Sequence, residues 1–147
     1  MFVERLDMLP ETLEVFRARP PAAERAPWSG LPLSVRTALL ADGEAALARP
    51  YAPLPATSYL QYGRTGDRAG FETNYFSRRR DINAMVLAEC IDYRGRFIDR
   101  IIDGVMLLCE ESGWQLPAHN AQQRGGKRAA LPDTASPIID LFAAETG

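Results

Sequence analysis

Histidine occurs once in this chain, at His119, and cysteine twice, at Cys90 and Cys109. That is too few for the usual zinc sets: a metal would have to rest on His119 with Glu110 or Glu111, a weak donor group. Neither a metal nor a cofactor is therefore expected. The sequence has no GxGxxG, no P-loop and no HExxH, and its glycine-rich stretch GRTGDRAG (63–70) lacks a preceding strand to aim a phosphate cradle. No nucleophile elbow accompanies His119. A formal net charge of −2 gives no reason to expect nucleic acid or an anionic membrane as partner. No apolar run approaches the roughly 20 residues of a membrane span. Glu4, Arg5 and Asp7 interrupt the N-terminal region where a secretory signal needs an apolar core. The expected location is cytoplasmic.

What is present fits one ordinary globular domain: 147 residues, 46% hydrophobic and 24% charged. The two cysteines can be tested by geometry. An antiparallel hairpin of residues 80–93 and 96–112, turning at Arg94–Gly95, sets Cys90 opposite Asp99. Cys109 then lies roughly 15 Å further along at 1.5 Å rise per residue, beyond the reach of a disulfide. Free, mostly buried thiols are expected.

Residues 1–30 read as an arm with one short helix, Pro10 to Arg19, pinned by Trp28; residues 31–147 read as a helical domain. Ser34 is placed to cap a helix running to Ala48, and Pro50, Pro53 and Pro55 stop it. Residues 56–76, with their glycines and aromatics, read as an ordered loop. Arg78, Arg79 and Arg80 open the next helix, which runs to Tyr93. If they converge with Arg64 and Arg68, they suit an anionic ligand such as a carboxylated sugar. Ser136 and Pro137 read as the start of a last short helix.

The clearest helix begins at Arg96. Phe97, Ile98, Ile101, Ile102, Val105, Met106 and Cys109 recur at helical spacing, and the Val105 end is expected to be the more deeply buried. Glu110 and Glu111 fall in the predicted last turn, Gly113 is placed for a left-handed exit, and Pro117 prevents resumption. Trp114, His119 and Asn120 follow. This helix end reads either as a solvated terminus over a core-plugging Trp or as the mouth of a polar pocket.

Several blocks together resemble the N-terminal part of heparinase II/III-like lyases: W28-x-x-LP, LPATSYLQYGRTGDR (54–68), FETNYFSRRRDINAMVLAEC (71–90), GRFIDRIIDGVMLLCEESGWQLPAHN (95–120) and SPIIDLFAAET (136–146). The resemblance covers nearly everything from Trp28 onward, and CEESGWQLPAHN is its most specific piece. It implies an all-α chain whose helical hairpins form the opening part of an (α/α) toroid. The implied activity is β-elimination at a uronic acid in an acidic polysaccharide or oligosaccharide. There a donor neutralises the carboxylate, a Tyr or His takes the C5 proton and an acid protonates the leaving oxygen.

Carried onto this chain, the resemblance makes Trp114, His119 and Asn120, with Glu110 and Glu111 behind them, a rim of the sugar cleft. Arg64 and Arg68 become partners for a substrate carboxylate, and His119 a candidate general base. The family's catalytic Asn, Tyr and His mostly lie beyond the matched region, so this chain is expected to supply scaffold and part of the groove without activity of its own. Two rivals stay open. One is a non-catalytic helical module that binds sugars or a protein. The other is a glycoside hydrolase on a similar toroid, which needs a carboxylate pair such as Glu110 or Glu111 with another acid. An incomplete toroid leaves helix faces uncovered, so self-association is also expected.

Overall fold

The computed structural model describes residues 19–123 and 125–147. The predicted Pro10–Arg19 helix lies almost wholly outside them. Among the described residues all regular structure is helical, with no strand: α1 (Arg25–Ser29), α2 (Leu33–Leu47), α3 (Ala56–Thr65), α4 (Ala69–Asp92), α5 (Ile98–Cys109), a 3-10 turn at Pro117–His119, and α6 (Leu141–Thr146).

The longest helix, α4, is the one the others pack on, chiefly α2 and then α5. Its inner positions recur at three and four residues: Phe71, Tyr75, Arg78, Ile82, Met85 and Ala88 are all buried. Small residues set the α2 crossing. A Cβ on Gly43 would stand 2.2 Å from the Ala88 Cβ, so the helices meet almost backbone to backbone. Around this crossing Ala46, Met85, Ala88 and Phe97 form one core cluster, each large side chain contributing about 1.5–3 kcal/mol by leaving water. A second cluster joins Tyr59 on α3, Phe71 and Tyr75 on α4, and Leu116. Its rings meet largely edge to face, as at Tyr59–Phe71 with centroids 5.0 Å apart.

The turn between α4 and α5 is held by a buried carboxylate. Glu89 accepts the N–H of Gly95 at 2.6 Å and of Phe97 at 3.2 Å, while Tyr93 closes α4 in a left-handed conformation at φ 53°. Arg25 of α1 caps the same end, its guanidinium donating to the carbonyls of Cys90 and Ile91. Trp28 is buried and donates its indole N–H to the Pro21 carbonyl at 3.1 Å.

The structure corrects several sequence expectations. Residues 56–76 form all of α3 and the start of α4 instead of a loop. Their aromatics Tyr59 and Tyr62, and Phe71 and Tyr75, keep helical spacing, and the break between the helices is residues 66–68, opened by Gly66 as the left-handed C-cap of α3 at φ 79°. The arginine run therefore sits mid-helix, not at a helix start. Pro32, not Ser34, precedes α2, with no side-chain cap. The last helix starts at Leu141 behind an Asp140 cap, later than Ser136–Pro137 predicted.

Helix α5 ends at Cys109, so Glu110 is its C-cap residue and Glu111 lies beyond it. Gly113 is not among the left-handed glycines. Nor does the whole apolar stripe face inward. Phe97, Ile101 and Gly104 make the contact, and Gly104 admits the Tyr51 ring and Ile82 where a Cβ would clash. Ile98, Ile102, Val105 and Met106 are 42–55% exposed. Cys109 is exposed as well, against the expectation of a buried thiol; Cys90 is half-buried, and both are free.

Candidate functional site

Downstream of α5 the chain folds into a stack of short turns whose polar side chains are mostly engaged with one another. Glu111 turns inward: Arg78 reaches its Oε1 at 3.2 Å and Arg79 its Oε2 at 2.9 Å. The Arg79 guanidinium also lies 3.4 Å over the Tyr75 ring, and its Nε–H donates to the Thr146 hydroxyl at 2.9 Å. Arg78 and Arg79 thus converge on Glu111, and Arg79 on α6, instead of on Arg64 or Arg68. Two guanidiniums offset the unfavourable placement of a carboxylate after a helix C-terminus.

Trp114 donates its indole N–H to the Leu108 carbonyl at 2.9 Å and packs against the end of α6, 3.2 Å from where a Gly147 Cβ would stand. Asn120 is 1% exposed. Its amide donates to the carbonyls of Ala129 and Leu131 and accepts from Gln115, so it staples residues 129–131 onto the turn. Glu111 and Asn120 are therefore internal ties, and Trp114 is half-buried against α6. Glu110 is solvent-exposed.

His119 differs from these. Its Nδ1 lies 2.6 Å from Asp140 Oδ2, with the side chain 39% exposed, and its ring stacks on Phe142 at 5.8 Å and 11°. Asp140 itself is 9% exposed and accepts two backbone N–H groups, from Leu116 at 3.2 Å and Ala143 at 2.7 Å. No sequence motif marked Asp140 as a partner of His119, 21 residues away. The available signal was its position as N-cap of the last helix.

A groove of about 530 Å³ runs between the C-terminal half of α3 and residues 128–130, with Tyr59, Tyr62, Arg64, Pro117 and Arg128 in its walls; neither His119 nor Asp140 lines it. Arg128 stands over the Tyr62 ring at 5.3 Å and donates its Nε–H to the Ala118 carbonyl at 2.9 Å. The groove's second cation is thereby tied to the turn that carries His119. Sequence reading missed Arg128 and Tyr62, which only the folding of 120–131 brings back to α3. Arg68 lies outside this groove and pairs with Glu72 one helical turn on, at 2.7 Å.

The groove combines two guanidiniums with two phenol rings, a surface suited to a ligand bearing a carboxylate and an apolar ring face. The Tyr59 hydroxyl is held neutral. Burial pushes it well above the usual phenol range, and the negative charge of Asp140 adds to this. Among the described residues no cluster of three or more His, Cys, Asp or Glu side chains is placed to hold a metal ion, and no helix is long and apolar enough to cross a membrane. Compared with known protein families and with curated proteins, the chain matches none.

Proposed function

We propose that this chain is the N-terminal helical domain of a heparinase II/III-like lyase acting on uronic-acid-containing polysaccharide or oligosaccharide by β-elimination. In this reading it supplies part of an (α/α) toroid and one wall of the substrate groove, and the chain alone does not turn over substrate. The observation that carries the proposal is the groove at Tyr62, Arg64 and Arg128. Arg forks match carboxylates in a bidentate way, and the C–H face of a pyranose stacks on phenol rings. Pro117, at the start of the turn that carries His119, is in the groove wall.

Titration of the chain with a tetramer of galacturonic acid tests the reading, with a neutral galactose tetramer as control. Saturable binding of the acidic oligomer alone is expected. Arg64→Ala and Arg128→Ala should each weaken it about tenfold or more, since a charge-assisted bond contributes about 1.5–3 kcal/mol. Equal binding of both oligomers would favour a neutral-sugar module, and binding of neither would end the uronate reading. A longer protein containing this domain should release an unsaturated sugar that absorbs in the ultraviolet, which hydrolysis of an ordinary glycoside does not.

A further inference from the structure

The geometry points to a furrow longer than the α3 groove: three cavities in series that take one oligosaccharide lengthwise, its carboxylate-bearing end at Arg64 and Arg128 and an uncharged ring at Trp114. The ligand class rests on the uronate reading above.

Shared walls set the cavities in series. Tyr59 lines the α3 groove and also a second cavity of about 200 Å³ beside Phe71, Leu131 and Pro132. Ser112 and Gly113 line that second cavity and also a third, of about 400 Å³, with Trp114, Pro137, Ile138 and Ile139. One stretch of chain borders all three in order: residues 128–130 the first, Leu131 and Pro132 the second, Asp133 the third. Consecutive residues along a common wall place the cavities side by side. The passage is narrow at Gly113, where a Cβ would stand 3.1 Å from the Pro132 Cβ. The first cavity alone has the size of a small-ligand pocket, about 300–1,000 Å³, so the series has room for several joined rings.

The two ends differ in charge. Among the described residues the first cavity has Arg64 and Arg128 in its walls and no carboxylate. The third has no cation; its charged groups are Asp133 and Glu111, and Glu111 is taken up by Arg78 and Arg79. A uronate at that end would face Asp133 with no counter-ion in the wall. The rest of the wall is largely apolar, and Ile139 in it is 82% exposed. An apolar wall that includes an indole suits the C–H face of an uncharged pyranose. Continuity with the cationic groove favours units of the same sugar chain over an unrelated occupant.

Titration of the intact chain with four probes separates these claims: a galacturonic acid dimer, its tetramer, and mixed tetramers of two galacturonic acid and two galactose units in both orders. One mixed order should bind about tenfold more tightly than the dimer, and no more weakly than the all-acid tetramer. Ser112→Trp, at an exposed position where the second and third cavities meet, should abolish that gain and leave the affinity for the dimer unchanged. Trp114→Leu should do the same, with dimer binding as the check that the groove has folded. Mixed tetramers that gain nothing over the dimer, or a gain that survives Ser112→Trp, would overturn the furrow and leave the uronate groove standing. The far cavity would then belong to another apolar occupant, such as a protein segment. An all-acid tetramer that outbinds both mixed ones overturns the uncharged ring at Trp114. If no probe binds, the uronate reading and the furrow fall together.

Discussion

At the scale of the residue, polar side chains in this molecule divide by whether their hydrogen-bonding capacity is filled from within. Glu111 is filled: with side-chain exposures of 8% for Glu111, 10% for Arg78 and 16% for Arg79, its carboxylate sits among largely buried cations. Glu111→Ala leaves those cations uncompensated, so a loss of about 3 kcal/mol or more is expected, read as a fall in the urea midpoint at constant slope. A shift within about 0.5 kcal/mol would mean that the cluster is not formed in solution.

Tyr59 gives a pH test. Its hydroxyl in the folded chain is pushed above the ordinary phenol range by burial first and by Asp140 second, whereas the unfolded chain releases that proton near pH 10. Above that pH the unfolded state binds fewer protons, so stability is complete below it and falls as pH rises toward the folded value. Phenolate absorbance of Tyr59 should consequently appear together with unfolding; titration of this residue in a chain that stays folded would contradict its burial.

These residues also mark how far a sequence can be read. His119 stood out as the lone histidine, and Arg64 as a cation among aromatics. Arg128 and Tyr62 carry no local signature, because they meet across 66 residues of chain, and Asp140 shows only its place ahead of the last helix while His119 lies 21 residues away. Glu111 and Asn120 looked like cleft residues only because polarity near a helix end does not say which way a side chain turns.

At the scale of the element, α2, α4, α5 and α6 were legible as helices, their limits were not, and α3 was missed. The apolar spacing of α5 and the prolines that stop α2 identified those two. Glycine density in 56–76 was mistaken for loop character, although only Gly66 there adopts a positive φ, while Gly63 and Gly70 sit inside helices. The same residue type does opposite things at two sites, and this can be measured. A Cβ at Gly43 would meet the Ala88 Cβ at 2.2 Å and the Ala84 carbonyl at 3.3 Å, whereas at Gly63 it would meet nothing within 4 Å. Gly63→Ala should stabilise by about 0.4–1 kcal/mol through the lost freedom of the unfolded chain. Gly43→Ala gains the same helix preference but forces α2 and α4 apart, with overpacking that costs about 1–3 kcal/mol, so the net change should be destabilising. Thermal midpoints moving in opposite directions would support backbone-close packing at the α2–α4 crossing. A rise in both would mean that the crossing is looser than the structure has it.

At the scale of the whole molecule, the unusual feature is the outer face of α5. Periodicity alone announced an amphipathic helix, but it could not say that the contact with α4 would be made by Phe97, Ile101 and Gly104, leaving a second apolar row outside. That row, Ile98, Ile102, Val105 and Met106, keeps the three- and four-residue spacing of a packing seam along 42–55% exposed side chains. A contiguous row of this kind is the sort of surface that water disfavours and a matching surface covers. The occupant expected here is a second copy of the chain, since the same row on two copies is self-complementary under a two-fold axis. Sedimentation should then show a weight-average mass that climbs above 16.3 kDa as concentration rises. The pair Ile102→Lys and Met106→Lys, at positions each 55% exposed, should restore the monomer while leaving the monomer's own stability within about 0.5 kcal/mol. A wild-type chain that stays at the monomer mass across the accessible concentration range would remove self-association from the account. It would not touch the groove, which lies with α3 and residues 128–130 and includes no residue of α5 in its walls.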